Sequence, residues 1–132
     1  MKMTYDEAIV YLGTLTNYER TYQPEAMQQV RLDRMRWACE QLGHPQRAFR
    51  SILVAGTNAK GSICAILYAI IRAAGLRAGL YTSPHLNEAR ERIRVSTDSA
   101  EEGADWISPQ ELAELTAQLK PVIDASKAGP HG

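Results

Sequence analysis

Cysteine is scarce in this sequence, net charge is absent, and no stretch is apolar for long enough to cross a membrane; each absence removes a class of function. The two cysteines, Cys39 and Cys64, stand apart inside amphipathic helical patterns. Neither has Cys-x-x-Cys spacing or a neighbouring histidine, which argues against zinc and against a disulfide framework. Reduced, buried thiols are the expectation. Lys and Arg number 15, as do Asp and Glu, so no net field draws the chain to nucleic acid or to a charged membrane face. The most apolar run, residues 63–74, is broken by Tyr68 and Arg72 and falls short of membrane-spanning length. The amino terminus turns acidic and amphipathic where a secretory leader needs an uninterrupted apolar stretch. Internal repeats and low-complexity tracts are also missing. The expectation is a soluble, cytoplasmic protein with no nucleic-acid and no membrane partner.

What is present is enough apolar material for one core: 132 residues, 45% of them hydrophobic, too few for two full domains. Thr4 and Glu7 have capping-box spacing, and Tyr5, Ile9, Leu12 and Leu15 recur at helical spacing, which predicts a helix over residues 5–15. Residues 16–24 carry no period and end at Pro24, a loop. Met27, Val30, Met35, Ala38 and Leu42 mark a second helix over 25–42, stopped by Gly43 and Pro45. Residues 51–55 form a short β-branched run without alternation, as in a strand covered on both faces of a parallel sheet. After a glycine-bearing turn, residues 63–74 are apolar on nearly every side and close at Gly75, the pattern of a helix buried against a sheet. Residues 77–82 read as a further strand. Strand, turn, helix and strand make a βαβ unit, so the expected fold is α/β with a parallel sheet and flanking helices. Residues 92–96 alternate and are expected to be extended; 97–105 read as a polar surface loop. Ser108, Pro109 and Glu111 form a second capping box before a helix carried by Leu112, Leu115, Leu119 and Ile123, with Pro121 bending it. Residues 126–132 have the composition of a linker or frayed tail.

One segment carries chemistry. Gly56-Thr57-Asn58-Ala59-Lys60-Gly61-Ser62 stands between an expected strand and an expected helix. Backbone N–H groups at a helix start point outward, the helix dipole favours negative charge, and a lysine adds a full positive charge for terminal phosphates. The Ser62 hydroxyl, two residues beyond Lys60, is placed to ligate the Mg2+ that travels with a nucleotide. The spacing Gly-x-x-x-Lys-x-Ser resembles a Walker A loop, although Ala59 precedes the lysine. The bland alternative is a strand-to-helix turn in which Gly56 permits a bend and Lys60 is a solvated side chain. Strand, loop, lysine, hydroxyl and helix in the order phosphate binding needs favour the functional reading.

Three motifs in order then resemble one family. Gly56 to Ser62, then Tyr81-Thr82-Ser83-Pro84-His85-Leu86, then Glu91-Arg92-Ile93-Arg94-Val95 look like the N-terminal signature of the folylpolyglutamate and dihydrofolate synthases, relatives of the muramyl peptide ligases. Tyr11-Leu12 and Leu32-Asp33-Arg34 resemble the family's opening, so the likeness runs through nearly the whole chain. It implies that residues 1–132 are the N-terminal part of a Mur-ligase-like ATP-binding domain, without the C-terminal glutamate-binding domain. It implies ATP and Mg2+, and a folate and L-glutamate as partners: ATP phosphorylates a folate-side carboxylate, and the glutamate amine attacks the acyl phosphate to form an amide. Lys60 would be the catalytic residue, steadying the transferring phosphoryl group. Ser62 and Ser83 would ligate the metal. Thr16, Asn17, Tyr18 and Glu19 would meet the pterin end of the substrate, Tyr18 by stacking, and Pro84 and His85 would line the folate site. Ser83 follows a strand end beside the phosphate loop, where α/β sheets bind ligands; a plain turn at 83–85 is the alternative. His44, after Gly43, is expected to cap the second helix, and Arg92 and Arg94 to lie on a solvated strand face.

The sequence departs from the family at Ala59, where the family has glycine. Positive φ there would strain alanine by roughly 1–2 kcal/mol; negative φ would make it harmless. The family's further metal ligands, its modified lysine and its C-terminal domain have no counterpart in these residues. A fragment or truncated product, inactive alone, is therefore expected, with an exposed strand edge and apolar helix faces that favour self-association. The rivals are a muramyl peptide ligase and a nucleotide-binding module without catalysis.

Overall fold

A computed structural model describes residues 2–15, 32–99 and 103–128. Helix α1 spans Tyr5–Gly13, α2 Leu32–Gln41, α3 Lys60–Ala73 and α4 Pro109–Ala128. Strand β1 spans Gly79–Tyr81 and β2 Ile93–Val95, with 3-10 turns at Pro45–Arg47 and Ala89–Arg92. The chain divides into two units, Met1–Ser51 with Ala113–Gly132, and Ile52–Leu112.

In the first unit, α1 starts where the capping box predicts: Thr4 Oγ1 accepts from the Glu7 amide at 3.3 Å and Glu7 accepts from the Thr4 amide at 2.7 Å. Ala8 is fully buried in α1, and Ala113, Thr116 and Ser126 mark the buried stripe of α4. Tyr11 donates to Asp124 at 2.9 Å, and Asp124 also pairs with Lys120. Burial first, then the Asp124 carboxylate, pushes the Tyr11 phenol up to about 12, so it stays a donor. Of the helix predicted over 25–42, the described part is α2. Its end is a Schellman motif: Gly43 has φ 71°, its N–H reaches Glu40 at 3.1 Å, and the His44 N–H reaches Cys39 at 2.7 Å. His44 thus caps with its backbone. The loop 16–24 lies outside the described residues.

In the second unit, β2 pairs antiparallel with β1, Leu80 opposite Arg94. On its other edge, Val95 N–H donates to Asp105 O at 2.8 Å and Ile107 N–H to Ile93 O at 2.9 Å, so β2 is the middle of the ribbon. The extended reading of 92–96 holds for Ile93–Val95. The parallel pairing expected between residues 51–55 and 77–82 is not formed among the described residues: 51–55 are in no strand, and the ladder present joins β1 to β2 antiparallel. A strand exists through its partner ladder, and Ile52 and Leu53 are 69% and 92% exposed, with nothing among the described residues covering the faces a central strand would bury. Helix α3 differs for the same reason. Tyr68 is buried, while Ile63, Ile66 and Ile70, a stripe at helical spacing, are exposed. Its end is as predicted, Gly75 at φ 72° with the Leu76 N–H reaching Ile71 at 3.2 Å.

Residues 97–105 are not wholly a surface loop. Asp105 is buried and accepts from Tyr68 Oη at 3.0 Å and from Arg94 Nε and Nη2 at 3.0 and 3.1 Å. Arg72 Nη1 stands 3.8 Å from the same carboxylate, and both guanidiniums lie over the Tyr68 ring, at 5.6 and 5.5 Å from its centroid. Arg94 is therefore a half-buried ion-pair member rather than part of a solvated face. The carboxylate needed a fork-shaped partner once it left water, and Arg94 sits across the ribbon from it. The second capping box forms as expected, Ser108 Oγ accepting from the Glu111 amide at 3.1 Å, and α4 runs through Pro121. Leu115 and Leu119 on it are exposed.

Candidate functional site

Residues 56–62 are all exposed and lead straight into α3, which begins at Lys60. Ala59 is the N-cap residue and supplies no side-chain cap, and the first turn holds no acidic residue. The amides of that turn are thus left for solvent or a ligand, at the positive end of the helix dipole. Lys60 folds back over the loop, its Nζ donating to Gly56 O at 2.6 Å and Thr57 O at 3.4 Å. These are neutral carbonyls, so an anionic oxygen entering the loop would offer the ammonium a stronger partner. Thr57 and Asn58 complete the turn between Gly56 and the helix.

Ala59 resolves the question its sequence position raises: φ is 59° and ψ 10°, left-handed backbone. That geometry costs an L-residue roughly 1–2 kcal/mol, while glycine loses about 0.4–1 kcal/mol through its freer unfolded chain. Ala59→Gly is therefore expected to stabilise by about 0.5–1 kcal/mol, seen as a raised thermal midpoint. A lowered midpoint would contradict the left-handed assignment.

Ser83 and Pro84 follow β1 and are exposed; the bond between them is cis. His85 is half-buried, its Nδ1 accepting from Arg92 Nε at 2.7 Å. Arg92 is accordingly engaged with the turn rather than lying on a solvated face. Glu91, which sequence reasoning quoted but gave no role, accepts from the amides of Leu86, Asn87 and Glu88 at 2.8, 2.8 and 2.9 Å. Those amides, Leu86 first, hold its carboxyl below the usual carboxylate range, against the opposite pull of desolvation. The signal was the capping-box spacing of Glu88 and Glu91. Thr16, Asn17, Tyr18 and Glu19 lie outside the described residues.

Among the described residues no group of three His, Cys, Asp or Glu could hold a metal ion. The oxygen donors on offer, the exposed hydroxyls of Ser62 and Ser83, suit magnesium that arrives with phosphate and keeps much of its water. Cys39 and Cys64 are free thiols. No helix among the described residues is long and apolar enough to cross a membrane.

No protein-family model matches the sequence. The chain is 36% identical over 101 residues to the dihydrofolate synthase/folylpolyglutamate synthase of Bacillus subtilis, covering 76% of this chain and 22% of the relative. It is 40% identical over 81 residues to the Escherichia coli enzyme of the same name, covering 61% and 19%. Among solved structures, folylpolyglutamate synthetase from Lactobacillus casei superposes with a TM-score of 0.72 at 26% identity, over 96% of this chain and 28% of that one. The likeness gives the chain an α/β, Mur-ligase-like fold. These shares mean that the chain spans about a fifth of its curated relatives' length. Within that span, the chain belongs to the folylpolyglutamate and dihydrofolate synthase family.

Proposed function

We propose that this chain is the nucleotide-binding part of an ATP-dependent ligase that joins glutamate to a folate or dihydropteroate. The observation that carries the reading is the open loop at 56–62, uncapped at the start of α3 with Lys60 across its mouth. The amides from Gly56 to Ser62 would cradle the phosphates, and Lys60 would exchange Gly56 O and Thr57 O for the terminal phosphoryl oxygens. Ser62 and Ser83 would hold the metal ion, which when bound supplies charge neutralisation to the transferring phosphoryl group. Pro84 and His85 would border the acceptor substrate, with Thr16, Asn17, Tyr18 and Glu19 at its pterin end. The reaction proposed is attack of a substrate carboxylate oxygen on the terminal phosphorus, ADP leaving, followed by attack of the glutamate amine on the acyl phosphate with release of phosphate. Catalysis of this kind is positioning and charge stabilisation.

The finer architecture belongs to the same proposal. Residues 51–55 and the Ile63, Ile66 and Ile70 stripe are the surfaces a parallel sheet of a whole, cytoplasmic ligase would cover. In the chain by itself they favour self-association, and ligation by the chain alone is not expected. Titration calorimetry with Mg-ATP, then with dihydropteroate or tetrahydrofolate, tests the reading. Binding of the pteroyl compounds but not of a muramyl precursor is expected. Muramyl binding would move the chain to the neighbouring ligases, and absence of nucleotide binding would overturn the ligase reading in favour of a non-catalytic module.

A further inference from the structure

The turn that carries Ser83 is held from one short stretch of chain. Thr82, just before it, donates its N–H to Arg92 O at 3.0 Å. His85 accepts at Nδ1 from Arg92 Nε at 2.7 Å. Just beyond it, the amides of Leu86, Asn87 and Glu88 all close on the Glu91 carboxylate within 2.9 Å. Main chain and side chain of two adjacent residues thus clamp the loop between β1 and β2 at both ends, while Ser83 and Pro84 stay exposed. Anionic hydrogen bonds from three successive amides are the stronger kind, and they fix backbone direction as well as energy.

The clamp also settles which way the imidazole faces chemically. An arginine Nε–H can only donate, so the nitrogen it meets must carry a lone pair, and the ring proton of that tautomer is on Nε2. A ring so fixed is a donor at Nε2, complementary to an acceptor and unsuited to bind a cation there.

We propose that Glu91 and Arg92 are positioning residues that preorganise the Ser83-Pro84-His85 turn, with His85 presenting Nε2–H to an anionic oxygen of the ligand bound beside Ser83. The inference rests on the nucleotide-site reading above and deepens it. The shared ligand chemistry is an anionic oxygen, from a nucleotide phosphate or from the carboxylate of a pteroyl substrate.

Three readouts on the 132-residue chain test it. Nitrogen-15 spectra of the imidazoles are expected to show His85 with Nδ1 unprotonated and Nε2 protonated, and Arg92→Lys to lose that signature. Hydrogen exchange at Leu86, Asn87 and Glu88 is expected to quicken by about tenfold or more in Glu91→Ala, and less in Glu91→Gln, which keeps one amide oxygen and guards against a variant that fails to fold. Where Mg-ATP shifts the His85 Nε2 resonance the partner is a phosphate; where only a pteroyl carboxylate does, it is the acceptor. His85→Gln, whose amide nitrogen stands near the Nε2 position, is expected to keep more affinity for that ligand than His85→Leu. A purely structural clamp would move the exchange rates and leave the His85 resonance blind to both ligands, which would overturn the proposal, as would a His85 proton on Nδ1. A parent chain that binds neither ligand would remove the underlying reading, and this one with it, even with the clamp intact.

Discussion

Lys60→Ala is expected to weaken Mg-ATP binding by roughly ten- to hundredfold, the equivalent of one charge-assisted contact of about 1.5–3 kcal/mol. The loss should appear without a loss of fold. Lys60 is exposed, and its partners in the structure are the carbonyls of Gly56 and Thr57 within its own loop. An exposed side chain with such contacts changes stability by about 0.5 kcal/mol or less when truncated. Calorimetric affinity and a thermal melt on the same protein separate the two effects. Equal affinity in parent and variant would leave the loop an ordinary strand-to-helix turn, and a large drop in melting temperature would make Lys60 a structural residue instead.

Asp105→Ala is expected to destabilise the chain by about 2–4 kcal/mol, measured by urea denaturation. Removing one partner of a buried ion pair typically costs about 3–5 kcal/mol. The figure is lowered here because the guanidiniums are not sealed in: Arg72 and Arg94 side chains are 32% and 34% exposed, against 3% for Asp105, so water can resolvate them. The Tyr68 hydroxyl, in contrast, is donated to a buried oxygen and would lose its acceptor outright. Asp105→Asn keeps that acceptor and should cost less. Against a usual total of about 5–15 kcal/mol, the alanine variant should be visibly close to unfolding; an effect of about 0.5 kcal/mol would mean that the cluster is solvated and contributes little. Because Tyr68 lies on α3 and Arg94 on β2, the network ties the helix that begins at Lys60 to the strand that follows the Glu91-Arg92 clamp. Its loss should therefore be felt in nucleotide affinity as well.

The features legible in the sequence are those whose partners lie three or four residues apart. Thr4 with Glu7 and Ser108 with Glu111 place the capping boxes of α1 and α4, and Gly43 and Gly75 place the Schellman ends of α2 and α3, because a local hydrogen bond needs only the right residue at the right offset. The helix after the glycine-bearing turn belongs to the same class, although α3 begins at Lys60, three residues ahead of the expected 63–74. Ala59 shows the limit of local reading. Its residue type states what positive φ would cost, and the backbone around it decides that φ is 59°.

Spacing was a poor guide wherever the outcome depends on what another segment supplies. The β-branched run at 51–55 and the apolar surface of α3 have the composition of covered elements, yet Leu53 is 92% exposed and Ile66 and Ile70 are each 59% exposed. Hydrophobicity states what a residue would gain by burial; whether it is buried is settled by the surfaces that meet it. Arg92 and Arg94 alternate as strand residues should, but their roles come from His85, seven residues back, and Asp105, eleven residues on. No periodicity encodes a pairing across a turn between strands. The amino-acid order by itself determined the capping boxes, the glycine-closed helix ends and the family likeness. Tertiary structure alone decided which strands pair, which carboxylate is buried and which imidazole nitrogen meets Arg92, because those depend on distances between groups that the chain brings together only when it folds.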